Sequence, residues 1–294
     1  MINILLSTYN GERFVREQID SVLNQTQEGC SLFVRDDGSS DGTKDILLEY
    51  GKTINCVFSE NIGCGKSFWE LLRASGDSDY YAFCDQDDVW DNDKIETAIR
   101  HLKNEDNQLP LLYCCRYKSV DKDLKLIKDY GSDGISFPSF KRCFIYSIAA
   151  GCTFVMNRKA RDLLIRFNKE NLDIHDWTAT KIISLFGKII FDSSSHINYR
   201  QHGNNAIGDK RGIRHLFHRF LRIKRSNNVR SEMAKKILET YGNDISEEKK
   251  ESLALLANYR DIRKGWIKLF NEFKPETKGF ERIVFFYLAM RKYI

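Results

Sequence analysis

The N-terminal third of the chain alternates short apolar runs with stretches of helical spacing, and few folds accept that pattern. INILLS (2–7), SLFVR (31–35), NCVFS (55–59) and YYAFC (80–84) have the length and composition of buried strands. Phe14, Val15, Ile19, Val22 and Leu23 follow the first run at helical spacing. Further helices are expected from near Thr43 through Ile46, Leu47 and Tyr50, from about Lys66 to Ala74, and through Ile95 and Ile99 with Asp91 as N-cap. Apolar strands separated by helices imply a parallel sheet flanked by helices. Such sheets bind ligands beyond the carboxyl ends of their strands. STYNGE, DDGSSDGT, NIGCG and DQDDVW all follow strand ends, so four polar loops share one edge.

The second half is less regular. LLYCC (111–115), CTFVM (152–156) and KIIF (188–191) read as strands. Asn157 can cap a helix through Ala160, Leu163 and Leu164, and DWTATKIISLF (176–186) reads as a helix. Beyond about residue 207 the pattern turns helical and basic. The expected organisation is an α/β domain over 1–207 and a basic helical extension over 208–294, which suits a chain of 294 residues.

The net charge of +5 is unevenly spread. Arg211, Arg214, Arg219, Arg222, Lys224 and Arg225 share 211–225 with no acid. Between them Ile213, Leu216, Phe217, Phe220, Leu221 and Ile223 largely follow helical spacing. Such a segment suits an anionic membrane surface, and equally a helix packed on its own domain with a solvated basic face. No nucleic-acid partner is expected. The eight cysteines form no CxxC pair and read as free thiols of a reducing compartment. MINILLSTYN carries no basic leader, and IVFFYLAM (283–290) falls far short of the roughly 18 residues of a spanning helix. A cytoplasmic chain is expected, peripheral at most on the inner face of the cell membrane.

FCDQDDVWD (83–91) holds four aspartates straight after an apolar run. Carboxylates this close repel and raise one another's pKa unless a cation sits among them. Three familiar motifs fail on nearby strings. GCGKS (63–67) lacks the first glycine of a phosphate loop, because that position is Glu60. DGSSDG (37–42) begins like a calcium loop, but its twelfth position is Leu48 and a strand precedes it. The loop after INILLS has one glycine, Gly11, and no dinucleotide fingerprint.

Taken in order, the loops resemble the inverting family 2 glycosyltransferases. STYNGERFVREQIDSVLNQT (7–26), VRDDGSSDGT (34–43) and ENIGCGKS (60–67) are similar to its first three motifs. FCDQDDVW is similar to its metal-binding DxD region, in a form common among rhamnosyltransferase-like members. AAGCTFVMNR (149–158), HDW (175–177) and YRQHGNN (199–205) are similar to its acceptor, base and closing-loop regions. The resemblance covers residues 2 to about 208. It implies a GT-A-type nucleotide-sugar-binding α/β fold with a mostly parallel central sheet, and a divalent cofactor, Mn²⁺ or Mg²⁺.

Carried over by position, Thr8, Glu12 and Asp36 are implied to meet the base and ribose, with Tyr9, Asn10 and Asp37 beside them. Asn61, Gly63, Lys66, Gln86 and Arg200 are implied to complete the donor site. Asp85 would meet the ribose or the metal, Asp87 would ligate the metal, and His202 would meet the diphosphate or the metal. Gly151, Cys152, His175 and Trp177 are implied at the acceptor side, with Asp176 as the catalytic base.

The chemistry is coherent with those roles. A hard cation takes one or two carboxylates plus phosphate oxygens, which Asp85 and Asp87 could supply. Inversion needs a separate carboxylate to take the acceptor's proton. HDW also fits a helix cap with a core tryptophan, and Trp90 and Trp177 fit core filling as well as ligand stacking. The expected activity is transfer of a sugar, first L-rhamnose from dTDP-rhamnose, to a surface-polysaccharide or lipid-linked glycan acceptor. UDP-hexose or UDP-N-acetylhexosamine transfer, and a non-catalytic nucleotide-sugar-binding role, stay open at this point.

Overall fold

β1 (Ile2–Thr8) lies inside the sheet, buried along nearly its whole length. The computed structural model describes residues 1–129, 139–172, 174–201 and 228–294. Ile2, Ile4 and Leu6 join a core with Val15, Ile19 and Val22 of α1 (Val15–Leu23). Alternate residues face the other way, where Asn3 donates to the Ser75 carbonyl at the end of α3 (Cys64–Ala74). Each such apolar side chain contributes about 1.5–3 kcal/mol on burial, which fixes the register of β1.

β2 (Cys30–Asp36), β3 (Asn55–Phe58) and β4 (Tyr80–Cys84) complete a parallel set in the order β3-β2-β1-β4. Thr8 stands opposite Asp36, Asp36 opposite Phe58, and Leu6 opposite Cys84. The loops after these strands therefore leave the sheet at one level. α2 (Thr43–Glu49) follows β2. Beyond β4 the sheet is mixed. β8 (Val155–Asn157) runs antiparallel to β4 and to β6 (Leu111–Val120), while β9 (Lys188–Arg200) runs parallel to β6. β5 (Val89–Trp90) pairs antiparallel with β9, and β7 (Leu126–Asp129) with β6. The expected four strands and their helices are present. KIIF proves to be the start of a much longer strand, because β9 must reach back to β5 below the acidic loop.

The helix after β5, α4 (Lys94–Lys103), has Asp93 rather than Asp91 at its N-cap position. The Asp91 carboxylate instead meets Lys118 Nζ at 3.4 Å and accepts from Asn198 Nδ2 at 3.1 Å. Asn157 caps α6 (Arg158–Leu164) as expected, accepting from the Ala160 N–H at 2.9 Å. Its side chain also bonds the Leu111 N–H and the Leu109 carbonyl. All eight cysteines are free thiols.

Behind the sheet, Asp192 accepts from the Tyr113 hydroxyl at 3.0 Å and pairs with His101 and His196 at 3.4 and 3.5 Å. His196 Nδ1 also meets Asp93 at 3.0 Å. Burial pushes Asp192 up, but His196, the Ser194 N–H and the Tyr113 hydroxyl outweigh it and hold the carboxyl below its usual range. His196 is raised by its Asp192 pairing, against burial and with help from Asp93. A raised histidine stabilises the fold fully below its unfolded value of about 6.5 and loses that contribution as pH rises through its folded value. Asp192 acts oppositely, losing its contribution as pH falls through its depressed value. Urea midpoints of His196→Gln should therefore lack the part of the decline the parent shows as pH climbs above about 6.5. Equal pH slopes for parent and variant would contradict this assignment.

The described residues form two units, one from 1–129, 148–172 and 174–201, the other from 139–147 and 228–294. The second unit contains α5 (Phe140–Ile145) and, after α7 (His175–Phe186) of the first unit, α8 (Val229–Tyr241), α9 (Glu247–Asn258), α10 (Gly265–Phe273) and α11 (Gly279–Met290). Tyr241, Leu253, Leu269 and Phe273 are buried within it. α5 is tied in by Lys141–Glu272 at 2.7 Å and by Arg142 donating to the Glu276 carbonyl. Among the described residues no helix is long and apolar enough to cross a membrane. The basic segment 211–225 lies outside the described residues.

Candidate functional site

The loop after β1 is held from two sides. Asn10, at φ 48°, donates its N–H to Ser39 Oγ, and its side-chain carbonyl accepts from the Ser40 N–H. Glu12 accepts from the Gly42 N–H at 2.7 Å. On the other side, Gln86 makes a two-bond clasp with the Tyr9 backbone, at 2.8 and 3.0 Å. Gly11 lies against that clasp, where a Cβ would meet the Gln86 side-chain amide and make it shift. The Tyr9 and Glu12 side chains remain exposed.

Beneath them lies a buried polar frame. Thr8 donates to Asp36 at 3.0 Å, and Asp36 accepts the Ser39 N–H at 2.9 Å. Asp37 pairs with Arg35 and accepts from the N–H groups of Ile62 and Gly63 at 3.0 and 2.8 Å. Asp37, like Thr8 and Asp36, is buried, and its bonds hold the loops around it. Asn61 accepts from the Gly63 N–H and lines an open groove of about 540 Å³ with Gly38, Lys44, Phe58, Ser59 and Glu60. Lys66 pairs with Glu170 at the surface.

The aspartates of the acidic loop part company. Asp85 and Asp87 are half-buried, whereas Asp88 is fully buried. Asp88 Oδ1 accepts the Arg200 N–H at 3.0 Å, and among the described residues its buried Oδ2 has no hydrogen-bond partner. Ligand atoms of Asp85, Asp88 and Cys152 lie within 4.8 Å of one another. Burial, then the Asp87 and Asp176 carboxylates, push Asp85 up to about 7, and burial with Asp87 and Asp85 pushes Asp88 well up. This carboxylate crowding is the field a divalent cation relieves. The Cys152 thiol is also pushed well up, by burial first and then by Asp88 and Asp85, so it stays protonated and suits a hard cation poorly. It is fully buried, which corrects its expected place at the acceptor surface.

Arg200 is a further correction. It is 1% exposed, and its guanidinium donates to the carbonyls of Asp87 and Lys122 and pairs with Glu17 over the Phe14 ring. Those bonds are spent on fixing the acidic loop, not on a ligand-facing lid. His202 lies outside the described residues. Trp90 is a core residue, 2% exposed.

Asp176 reaches the same loops from the first turn of α7 (His175–Phe186), where a carboxylate is favoured by the helix dipole. It is 6% exposed. Its oxygens accept the Trp177 N–H at 2.7 Å and the Gly151 N–H at 3.2 Å. Among the described residues it makes no ion pair. Ile174, not Asp176, occupies the N-cap position. His175 stacks on Phe68 at 4.3 Å and meets Phe83 edge-on, and among the described residues its Nε2 and the Trp177 Nε1 are buried without hydrogen-bond partners. Burial lowers the His175 pKa, so its ring is neutral. The turn Gly151–Thr153 lies against this pair. A Cβ on Gly151 would stand 2.6 Å from His175 Nε2 and 3.2 Å from Asp176 Cβ. Gly151→Ala should therefore cost about 1–3 kcal/mol by overpacking, read as a lower denaturation midpoint; an unchanged midpoint would contradict the close packing.

Lys94 is the residue the sequence did not announce, since DNDK reads as a solvated helix start. It is fully buried, with Nζ 2.8 Å from the Cys152 carbonyl and 3.1 Å from the centre of the Trp90 ring. Burial lowers its pKa to about 8.

Comparison with known proteins agrees with this architecture. The chain is 31% identical over 253 residues to the dTDP-rhamnosyl transferase RfbG of Shigella flexneri, across 78% of this chain and 82% of that one. Its fold is similar to that of S. aureus TarS 1-349 in complex with UDP-GlcNAc, at a TM-score of 0.62 and 16% identity over 99% of this chain and 87% of that one. The mannosyltransferase PcManGT from Pyrobaculum calidifontis, in complex with GDP-Man and Mn2+, is similar at a TM-score of 0.50 and 15% identity, over 98% and 86% of the two chains. Residues 3–164 match the profile of glycosyl transferase family 2, the span that carries β1 through α6 and every loop of the acidic edge, and the chain belongs to that family.

Proposed function

We propose that the chain is a cation-dependent, inverting glycosyltransferase that moves L-rhamnose from dTDP-rhamnose to a surface-polysaccharide or lipid-linked glycan acceptor. One observation carries the reading. Asp176, remote in sequence from the acidic loop, is brought close enough to raise Asp85, and among the described residues it accepts N–H groups and makes no ion pair. The relative from Shigella flexneri, named for dTDP-rhamnosyl transfer, supports the donor.

In this reading 1–207 does the chemistry and 208–294 is an appended helical part, with 211–225 its candidate for an anionic membrane surface. Asp85 and Asp87 are the carboxylates that hold Mn²⁺ or Mg²⁺, with His202 as a further ligand. When bound, that cation supplies Lewis-acid neutralisation of the departing diphosphate. The PcManGT complex with Mn2+ is in keeping with such a site. Tyr9, Glu12, Asn61 and Lys66 border the donor side, and Asp36 with Thr8 holds their loops from below. The Gly151 and Trp177 N–H groups aim the Asp176 carboxylate, which takes the acceptor hydroxyl's proton as that oxygen attacks opposite the leaving group. His175 packs under it as a neutral wall, and Trp177 flanks the acceptor.

A thermal-shift panel tests the donor assignment. dTDP-rhamnose with Mn²⁺ should raise the melting temperature more than UDP-glucose or UDP-N-acetylglucosamine, by the mass-action stabilisation of a ligand that binds only the folded state. A larger shift with a UDP-sugar would move the donor assignment to that nucleotide.

A further inference from the structure

We propose that Lys94 is a positioning residue that holds the base Asp176 in place through the Gly151–Thr153 turn, an inference that rests on reading Asp176 as the base. The chain of contacts is short. Lys94 Nζ donates to the Cys152 carbonyl at 2.8 Å, and the neighbouring Gly151 N–H reaches Asp176 Oδ2 at 3.2 Å. Within the turn, the Thr153 and Phe154 N–H groups return to the Ala150 and Gly151 carbonyls. The turn is thus a stiff unit with Lys94 at one side and Asp176 at the other.

Lys94 is costly to bury. An ammonium removed from water is retained only where anions, carbonyls or ring faces replace its hydration. Here the Cys152 carbonyl and the Trp90 ring do so. A core needing only volume at this place would be better served by leucine or methionine. The ammonium instead joins α4, which follows the acidic loop, to the turn that aims the base.

Two measurements on the full-length protein decide the matter. In amide hydrogen exchange followed by mass spectrometry, Lys94→Met should speed exchange across 149–154 and 174–178 by about tenfold or more while leaving 8–12 unchanged. Unchanged exchange at 149–154 would overturn the proposal, and this readout requires no turnover. In steady-state transfer, Lys94→Met should lower kcat about tenfold or more with donor KM within about threefold, because the donor loops are untouched. The double variant with Asp176→Asn should be no slower than Asp176→Asn alone. Multiplying effects would overturn the proposal, since a merely structural lysine acts independently of the base. Lys94→Leu, which also removes the charge and the donor, serves the same two tests if Lys94→Met does not fold. If the parent protein turns over no nucleotide sugar, the transferase reading falls, while the exchange result still decides whether Lys94 holds the turn.

Discussion

Asp176→Asn is expected to lower kcat for sugar transfer by about 10²–10⁴-fold, the usual contribution of a positioned general base. The substitution is nearly isosteric. The asparagine carbonyl can still accept the Gly151 N–H that meets Asp176 Oδ2 at 3.2 Å, so the turn keeps its place. What disappears is an oxygen able to take a proton from the acceptor hydroxyl. Donor KM and melting temperature should therefore stay close to the parent, because the hydrogen bonds by which Asp36 and Asp37 hold their loops do not involve Asp176. Nucleotide release in the presence of acceptor measures the first quantity, and a thermal melt the second. A variant that keeps parental kcat would remove Asp176 from the mechanism.

Chelation of divalent cations is expected to abolish transfer, and Mn²⁺ or Mg²⁺ to restore it. The expectation comes from the acidic loop itself. Asp85 is pushed up to about 7 by burial and by its carboxylate neighbours Asp87 and Asp176, and Asp88 is raised beside it. Three carboxylates so arranged are poorly matched to an empty site and well matched to a hard cation. Asp87→Asn should lower the rate by about a hundredfold or more at a cation concentration that saturates the parent, with partial recovery at higher concentration. Full activity in excess chelator, or a parental rate for Asp87→Asn, would contradict the cation's role.

The parts of the fold that local pattern governs were legible in the sequence. INILLS, SLFVR and YYAFC are strands because their apolar side chains are largely buried in the sheet, and short apolar runs record that directly, whereas NCVFS forms the edge strand β3 with Val57 and Phe58 exposed, which its composition did not reveal. The Asn157 cap was legible for the same reason, being a local bond to the Ala160 N–H. Asp91 misled because capping depends on where the helix begins, and β5 displaces that start to Asp93. Arg200 misled for a different reason. Its string, YRQHGNN, looks like an open donor-rich loop, but β9 runs to Arg200 and inserts its guanidinium beneath Asp87. Lys94 carried no signal because its partners, the Cys152 carbonyl and the Trp90 ring, meet it only through the tertiary fold. Side chains whose partners are remote in sequence lie beyond any reading of spacing.

The central claim is that one carboxylate, apart from the cation site, drives a single displacement at the anomeric carbon. The most direct measurement is the anomeric configuration of the transferred sugar, read by NMR on product made from dTDP-rhamnose with Mn²⁺ and a glycan acceptor. The account predicts a configuration opposite to that of the donor, with formation of product dependent on Asp176. A retained configuration, or no product from any nucleotide sugar under these conditions, would contradict it.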